Sequence, residues 1–212
     1  SSFYYLFFWP RFPEWSGIAR GCSHPHANSD RDNMHTIERQ AEQLAMAGIP
    51  DVPMPGLSWA AADVSRFGIP EPYALLAPGG AAHRPGKQWP PERFGELAGA
   101  LTEKGIRPVL LGAAGETPIM TAVRDRCPEA VDISGGTSLL ELAALGQGAR
   151  LAVGNDTGPM HLLSAVGCPS TVLFSSNSDP ALCGQRGPAV TVLRRDSLQG
   201  LSAGEVLDGL GL

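Results

Sequence analysis

Val153-Gly-Asn-Asp-Thr-Gly-Pro-Met-His161 joins the two patterns that alternate through most of this 212-residue chain. The apolar run Arg150-Leu-Ala-Val153 stops at Gly154, and from about Pro159 the residues Met160, Leu162, Leu163 and Val166 recur at helical spacing. The pattern predicts a parallel strand that feeds a helix through a tight polar turn. The first N–H groups of such a helix lack intrahelical partners and sit at the positive end of its dipole, which suits the turn to an anion.

The same alternation extends to both sides of the turn. Strands are predicted at 73–77, 106–111, 130–133, 150–153, 170–174 and 189–193. Helices are predicted from Pro91 to Gly105, from Thr117 to Arg126, behind the capping box Ser138-Leu-Leu-Glu141, from Pro159 to Val166 and from Ser202 to Leu210. Strand–helix alternation of this kind means an α/β domain with a parallel sheet covered by helices on both faces. Ligands of such sheets bind beyond the carboxyl ends of the strands, so the loops after 77, 111, 133, 153 and 174 are expected to share one rim.

Several residues on that rim have chemistry to offer. In Pro78-Gly-Gly-Ala-Ala-His-Arg-Pro-Gly-Lys-Gln-Trp-Pro90, Gly79 and Gly80 allow close backbone approach, and Lys87 is either a phosphate ligand or a solvated cation. Glu116 ends the loop Gly112-Ala-Ala-Gly-Glu116, either as an acceptor for ribose hydroxyls or as a charge in the first helical turn. Asp156 is either the cap of the following helix or the group that orients the turn while the N–H groups of Thr157 and Gly158 face a ligand. His161 faces either the site or the core.

Composition removes other classes of function. A net charge of −5 without a Lys/Arg cluster argues against a nucleic-acid partner. Cys22, Cys127, Cys168 and Cys183 have no C-x-x-C spacing, which fits reduced thiols better than zinc or a disulfide framework. No apolar run approaches the roughly 20 residues of a membrane span.

Residues 1–70 read differently. Eight of the fourteen aromatics lie in the first fifteen residues, beginning Phe3-Tyr-Tyr-Leu-Phe-Phe-Trp9, so the chain is expected to enter in mid-domain, with an interfacial membrane patch as the competing reading. A possible short strand near Trp15 precedes a turn-rich loop, and a helix is expected from Met34 to Ala47, capped by Asp32 or Asn33 and stopped by Gly48. Asp30-Arg-Asp32 matches a metal-holding D-x-D pattern, but its place at a helix start favours capping. His24-Pro-His26 lacks a spaced third ligand and is expected in a solvated loop. Prolines 50, 53, 55, 70 and 72 bracket a short helical piece, 58–67, in a segment read as a linker.

Four stretches, Lys87-Gln-Trp-Pro90, Gly112 to Glu116, Gly154 to His161 and Ser178-Asp-Pro-Ala-Leu-Cys-Gly184, resemble in order and spacing the signatures of the family-nine glycosyltransferases. These are the ADP-heptose:lipopolysaccharide heptosyltransferases, and the likeness runs from about Tyr73 to Gly187. It implies the two-domain GT-B architecture: a complete Rossmann-like donor domain at 71–212, preceded at 1–70 by the tail of a truncated acceptor domain and a linker. It further implies inverting, metal-independent transfer of heptose from ADP-heptose to the lipopolysaccharide inner core, with no cofactor beyond the donor. The place implied is the cytoplasmic face of the inner membrane, with peripheral membrane contact.

Carried onto this sequence, the resemblance pairs Lys87 with the diphosphate and Glu116 with the ribose. It makes Asp156, Thr157 and Gly158 the phosphate turn with His161 beside it, puts Gly79 and Gly80 close to the donor, and sets Gly136 to Leu139 at the border of the adenine. The catalytic base of the family is expected upstream of Ser1. Ser175-Ser-Asn177 departs from the Gly-Pro-Thr of many members. A non-catalytic nucleotide-sugar-binding module and a GT-B nucleotide-sugar epimerase are the alternatives.

Overall fold

A computed structural model of the chain describes residues 8–11, 13–81 and 83–212. They fall into two compact units, one of Ser1–Met54 with Ala181–Cys183, the other of Pro55–Pro180 with Gly184–Leu212. The boundary expected near residue 70 thus lies at 54/55. The segment read as a linker packs into the second unit, because Leu57 O accepts from Gln147 Nε2 at 3.2 Å and Arg66 reaches Glu141 at 2.7 Å. Its expected helix at 58–67 reduces to one 3-10 turn, Ser65–Phe67, ended by Gly68 at φ 57°.

In the first unit, β1 (Ser16–Gly17) pairs in parallel with β2 (His24–Pro25), and α1 spans Thr36–Met46. Neither Asp32 nor Asn33 caps this helix. His35 does, its Nδ1 accepting from Ile37 N at 3.2 Å, while Gly48 closes the far end at φ 85°. Asp30 and Asp32 fall at a preceding 3-10 turn, Arg31–Asn33. There Asp30 Oδ1 accepts from Asn33 Nδ2 at 2.7 Å, and the Asp32 side chain is exposed. His26 corrects the solvated-loop expectation: it is buried, its Nδ1 accepts from Arg31 Nε at 2.9 Å, and its Nε2 lies 3.2 Å from Glu42. Of the aromatic opening, residues 3–7 lie outside the described residues; Phe8 and Trp9 are exposed.

The second unit is built on a six-stranded parallel sheet. Its strands are β3 (Tyr73–Ala77), β4 (Arg107–Leu110), β5 (Val131–Asp132), β6 (Leu151–Asn155), β7 (Ser170–Phe174) and β8 (Val190–Arg194), in the spatial order β5-β4-β3-β6-β7-β8. Every residue of β3, β6 and β7 is buried, as expected of central strands covered on both faces. Ala74, Leu76, Leu110, Val153 and Leu173 share one core with α2 (Pro91–Glu103), α3 (Thr117–Arg126) and α7 (Ala203–Asp208). Tyr73 hydroxyl donates to Leu145 O at 2.8 Å in α4 (Leu139–Gly148), which packs on α5 (Gly158–Ala165). Pro180–Cys183 forms the short α6.

Most boundaries agree with the sequence expectation to within one or two residues. The Ser138 box forms as read, with Ser138 Oγ accepting from Glu141 N and Glu141 Oε2 from Ser138 N. The strand order reverses direction between β3 and β6, which have their first crossovers to opposite sides. The carboxyl ends of these two strands therefore border a crevice, the position at which doubly wound sheets bind their ligands. Cys127 and Cys168 are buried, and none of the four cysteines is in a disulfide; burial pushes the Cys168 thiol up to about 12.

Candidate functional site

A cleft of about 400 Å³ opens at the switch point between β3 and β6. Its walls come from three loops: Gly79 and Gly80 after β3, Gly112 and Glu116 after β4, and Asp156, Thr157 and Gly158 after β6. The loop after β5 and the loop after β7 brace these walls from outside. Gly135 N donates to Gly112 O at 2.7 Å, and Asn177 Nδ2 donates to Gly86 O at 3.2 Å.

The turn after β6 is built by three consecutive side chains with different tasks. Asn155 is buried; its Oδ1 accepts from Trp89 N at 2.9 Å, and its Nδ2 donates to Pro78 O at 2.8 Å and Gly79 O at 3.2 Å. It therefore ties both ends of the β3 loop to β6. Asp156 does not cap α5. Its Oδ2 accepts from Lys87 Nζ at 2.7 Å and its Oδ1 from Gln185 Nε2 at 3.2 Å.

Thr157 is the N-cap by backbone conformation, but its hydroxyl donates to Asn155 O at 3.2 Å, and no side chain caps the helix. The amide of Gly158 thus stands at the helix start on the wall of the cleft. Close approach of this turn to the sheet requires glycine at 154, where a Cβ would stand 2.7 Å from Met160 Sδ and 2.8 Å from the Ala77 Cβ.

Lys87 ends a 3-10 turn, Pro85–Lys87, and its side chain is only 16% exposed, so it is a directed cation and not a solvated one. A second hollow of about 180 Å³ between the β3 loop and Asp156 has Lys87 in its wall. Trp89 holds the end of this loop: its indole N–H donates to Leu201 O at 2.9 Å and its ring meets Phe94 edge to face at 4.7 Å.

Glu116 takes the helix-start position, one of the two roles left open for it, and also reaches the β3 loop. Its Oε2 accepts from Ala113 N at 2.7 Å, the reciprocal bond of a helix start, and its Oε1 accepts from Gly80 N at 2.8 Å across the cleft floor. A Cβ on Gly79 would overlap this carboxylate, so a larger residue there would push the Glu116 side chain aside. Each carboxylate oxygen keeps acceptor capacity toward the cleft.

The remaining expected residues lie apart. His161 is exposed on α5, in neither the core nor the cleft wall. Gly136 and Leu139 also lie off the cleft wall. Gly136 O accepts from Arg66 Nη2 at 2.6 Å, and Leu139 is 77% exposed at the start of α4. Arg66 also donates from Nε to Glu141 Oε1 at 2.7 Å and lies 4.1 Å over the Phe67 ring, so the segment before β3 borders this corner.

Sequence reasoning passed over Asn155 and Gln185. Asn155 stood inside the quoted stretch and carried a legible signal, a polar residue at the end of a buried strand; Gln185 carried none. Among the described residues no group of three or more His, Cys, Asp or Glu is placed to hold a metal ion. No helix among them is long and apolar enough to cross a membrane.

The profile of glycosyltransferase family 9 (heptosyltransferase) matches residues 25–201. Lipopolysaccharide heptosyltransferase 1 of Escherichia coli K12 is 30% identical over 182 residues, covering 83% of this chain and 56% of that protein. Lipooligosaccharide heptosyltransferase 2 of Haemophilus influenzae is 33% identical over 104 residues, 47% of this chain and 30% of that protein. Among solved structures, the E. coli heptosyltransferase WaaC with ADP superposes with a TM-score of 0.69 at 26% identity, over 90% of this chain and 59% of that one. The chain thus spans roughly a third to a little over half of the length of these relatives.

Proposed function

We propose that this chain, which belongs to glycosyltransferase family 9, the heptosyltransferases, is the nucleotide-binding part of an enzyme that moves heptose from ADP-heptose to the lipopolysaccharide inner core. The observation that carries this reading is the switch-point cleft. A carboxylate with spare acceptors and a helix start with no side-chain cap stand on its wall, and a directed lysine stands in the wall of the adjoining hollow. The likeness to a heptosyltransferase solved with ADP supports the choice of nucleotide.

In this reading Glu116 accepts from the ribose hydroxyls, while the diphosphate lies over Thr157 and Gly158. Lys87 has three N–H donors and gives one to Asp156, leaving two for phosphate oxygens. Transfer is an inverting displacement. The acceptor oxygen attacks the anomeric carbon, the bond to the diphosphate breaks on the opposite face, and the electron pair leaves with ADP. The charge growing on the phosphate is met by Lys87 and the start of α5 with no divalent cation, each charge-assisted contact contributing about 1.5–3 kcal/mol. The proton of the acceptor hydroxyl goes to a base in the part of the relatives that this chain does not span.

The second unit is then the donor domain and the first unit the remainder of the acceptor domain, working at the cytoplasmic face of the inner membrane with peripheral contact to it. Calorimetric titration of the chain with ADP tests the binding claim; absence of heat and of any ADP-induced rise in melting temperature would sink it. For the transfer claim, the full-length protein is incubated with ADP-heptose and lipopolysaccharide core, and the acceptor must gain the mass of one heptose.

A further inference from the structure

Gln185 follows α6, directly after the stretch Ser178 to Gly184, and its side chain ends on Asp156 at the wall of the cleft. Its Nε2 donates to Asp156 Oδ1 at 3.2 Å, while the other oxygen of that carboxylate receives Lys87 at 2.7 Å. The residue is 5% exposed, and its Oε1 is buried with no hydrogen-bond partner among the described residues. A side chain of this shape without polar atoms would fill the same space and leave no orphaned acceptor. Retaining an amide here brings the penalty of one unmet group and returns a single contact, the one to Asp156. The Thr157 hydroxyl turns to Asn155 O instead, and among the described residues Lys87 and Gln185 are the side chains that donate to this carboxylate.

We propose that Gln185 is a positioning residue for donor binding. By holding Oδ1 it turns Oδ2 toward Lys87, and through that pair it sets where the lysine ammonium meets the diphosphate. It touches neither substrate nor reacting atoms, and it works only through Asp156 and Lys87. The proposal rests on the ADP reading of the cleft and adds a determinant outside it. A carboxylate free to rotate would follow the lysine and draw it off the phosphate; one held from behind presents the lysine at one place before the donor arrives, which lowers the ordering cost of binding.

The test is a double-mutant cycle in nucleotide affinity, with ADP and AMP titrated calorimetrically into the chain and its Gln185→Leu, Lys87→Met and doubly substituted variants. Leucine keeps the volume and removes the donor. Gln185→Leu is expected to raise the Kd for ADP on the order of tenfold, the lower range of a charge-assisted hydrogen bond, while AMP affinity and melting temperature stay unchanged. In the Lys87→Met background the same substitution is expected to add nothing.

Equal losses for ADP and AMP, additive losses in the cycle, or an unchanged ADP affinity would each overturn the positioning role. If the unsubstituted chain binds neither nucleotide, the ADP reading itself fails and the positioning role falls with it. If it binds ADP more tightly than AMP and Gln185→Leu keeps that margin, only the positioning role fails.

Discussion

Asn155 Oδ1 accepts the backbone N–H of Trp89 at 2.9 Å, and its amide nitrogen reaches back to Pro78 O at 2.8 Å, so one buried side chain at the end of β6 closes the whole loop that follows β3. The loop carries three residues of the cleft wall, Gly79, Gly80 and Ala81, and the cation Lys87.

Replacing Asn155 by alanine removes these bonds and leaves a buried donor and two buried acceptors unmet. The expected loss is about 2–4 kcal/mol of unfolding free energy in urea titration, given roughly 1–3 kcal/mol for each buried polar group left without a partner and partial relaxation of the loop. ADP affinity should fall with it even at temperatures where the variant is fully folded. A variant of unchanged stability would show that Trp89 and its indole bond to Leu201 hold the loop alone.

Lys87→Met tests the cation. The side chains of Lys87 and Asp156 are 16% and 7% exposed, so their ion pair is screened less than a surface pair. In the proposed binding mode substitution takes away one or two charge-assisted bonds to the diphosphate, and ADP affinity should fall about 10- to 100-fold. It also leaves Asp156 with Gln185 as its sole remaining partner of the two, so the melting temperature should drop as well. Lys87→Met with added Asp156→Asn should recover stability without recovering ADP affinity, which separates the two roles in one pair of measurements.

What the sequence made legible is what local order decides. Apolar strands buried on both faces, Ser138 with Glu141, and Pro91 at a helix start all act within a few residues, and each element formed where those signals stood. The turn at Gly154 was legible for the same reason. The partners of Asp156 were not: Lys87 lies 69 residues before it and Gln185 29 after it, and nothing in either neighbourhood marks the pairing. The segment 55–70 misled because its prolines and polar residues look like a linker, while Arg66, which fastens it to Gly136 and Glu141, is indistinguishable in sequence from a solvated arginine. His26 was misread for the opposite reason. Its neighbours Pro25 and His24 suggest a loop, and its burial comes from Arg31 and from Glu42 on α1.

Gly79→Ala probes the Glu116 clamp. The added Cβ overlaps the carboxylate, which must leave the Gly80 and Ala113 N–H groups to make room. Loss of these two bonds to a carboxylate destabilises by about 1–3 kcal/mol. The sharper expectation is in ligand choice. The unsubstituted chain should prefer ADP over its 2′,3′-dideoxy analogue through the ribose hydroxyls, and Gly79→Ala should shrink that preference more than it weakens the analogue. Equal weakening of both nucleotides would remove Glu116 from the ribose.

The pair Arg66–Glu141 has a pH signature of known sign. The Arg66 guanidinium first, then the Ser138 N–H and hydroxyl, hold the Glu141 carboxyl down from its ordinary 4.5 to about 2. A carboxylate whose pKa is lower in the folded than in the unfolded protein binds fewer protons when folded. Its stabilisation is therefore complete above about 4.5 and is lost as the pH falls toward 2. Both partners are solvent-accessible, Arg66 at 55% of its side chain, so the effect is small and salt-sensitive. Arg66→Ala should lower the melting temperature at neutral pH, and the gap to the unsubstituted protein should narrow steadily as the pH is brought below 4.5. Because Arg66 also holds Gly136 O, part of the gap should persist in acid. A gap of constant width across the range would mean that the guanidinium acts through the carbonyl and the Phe67 ring, and not through Glu141.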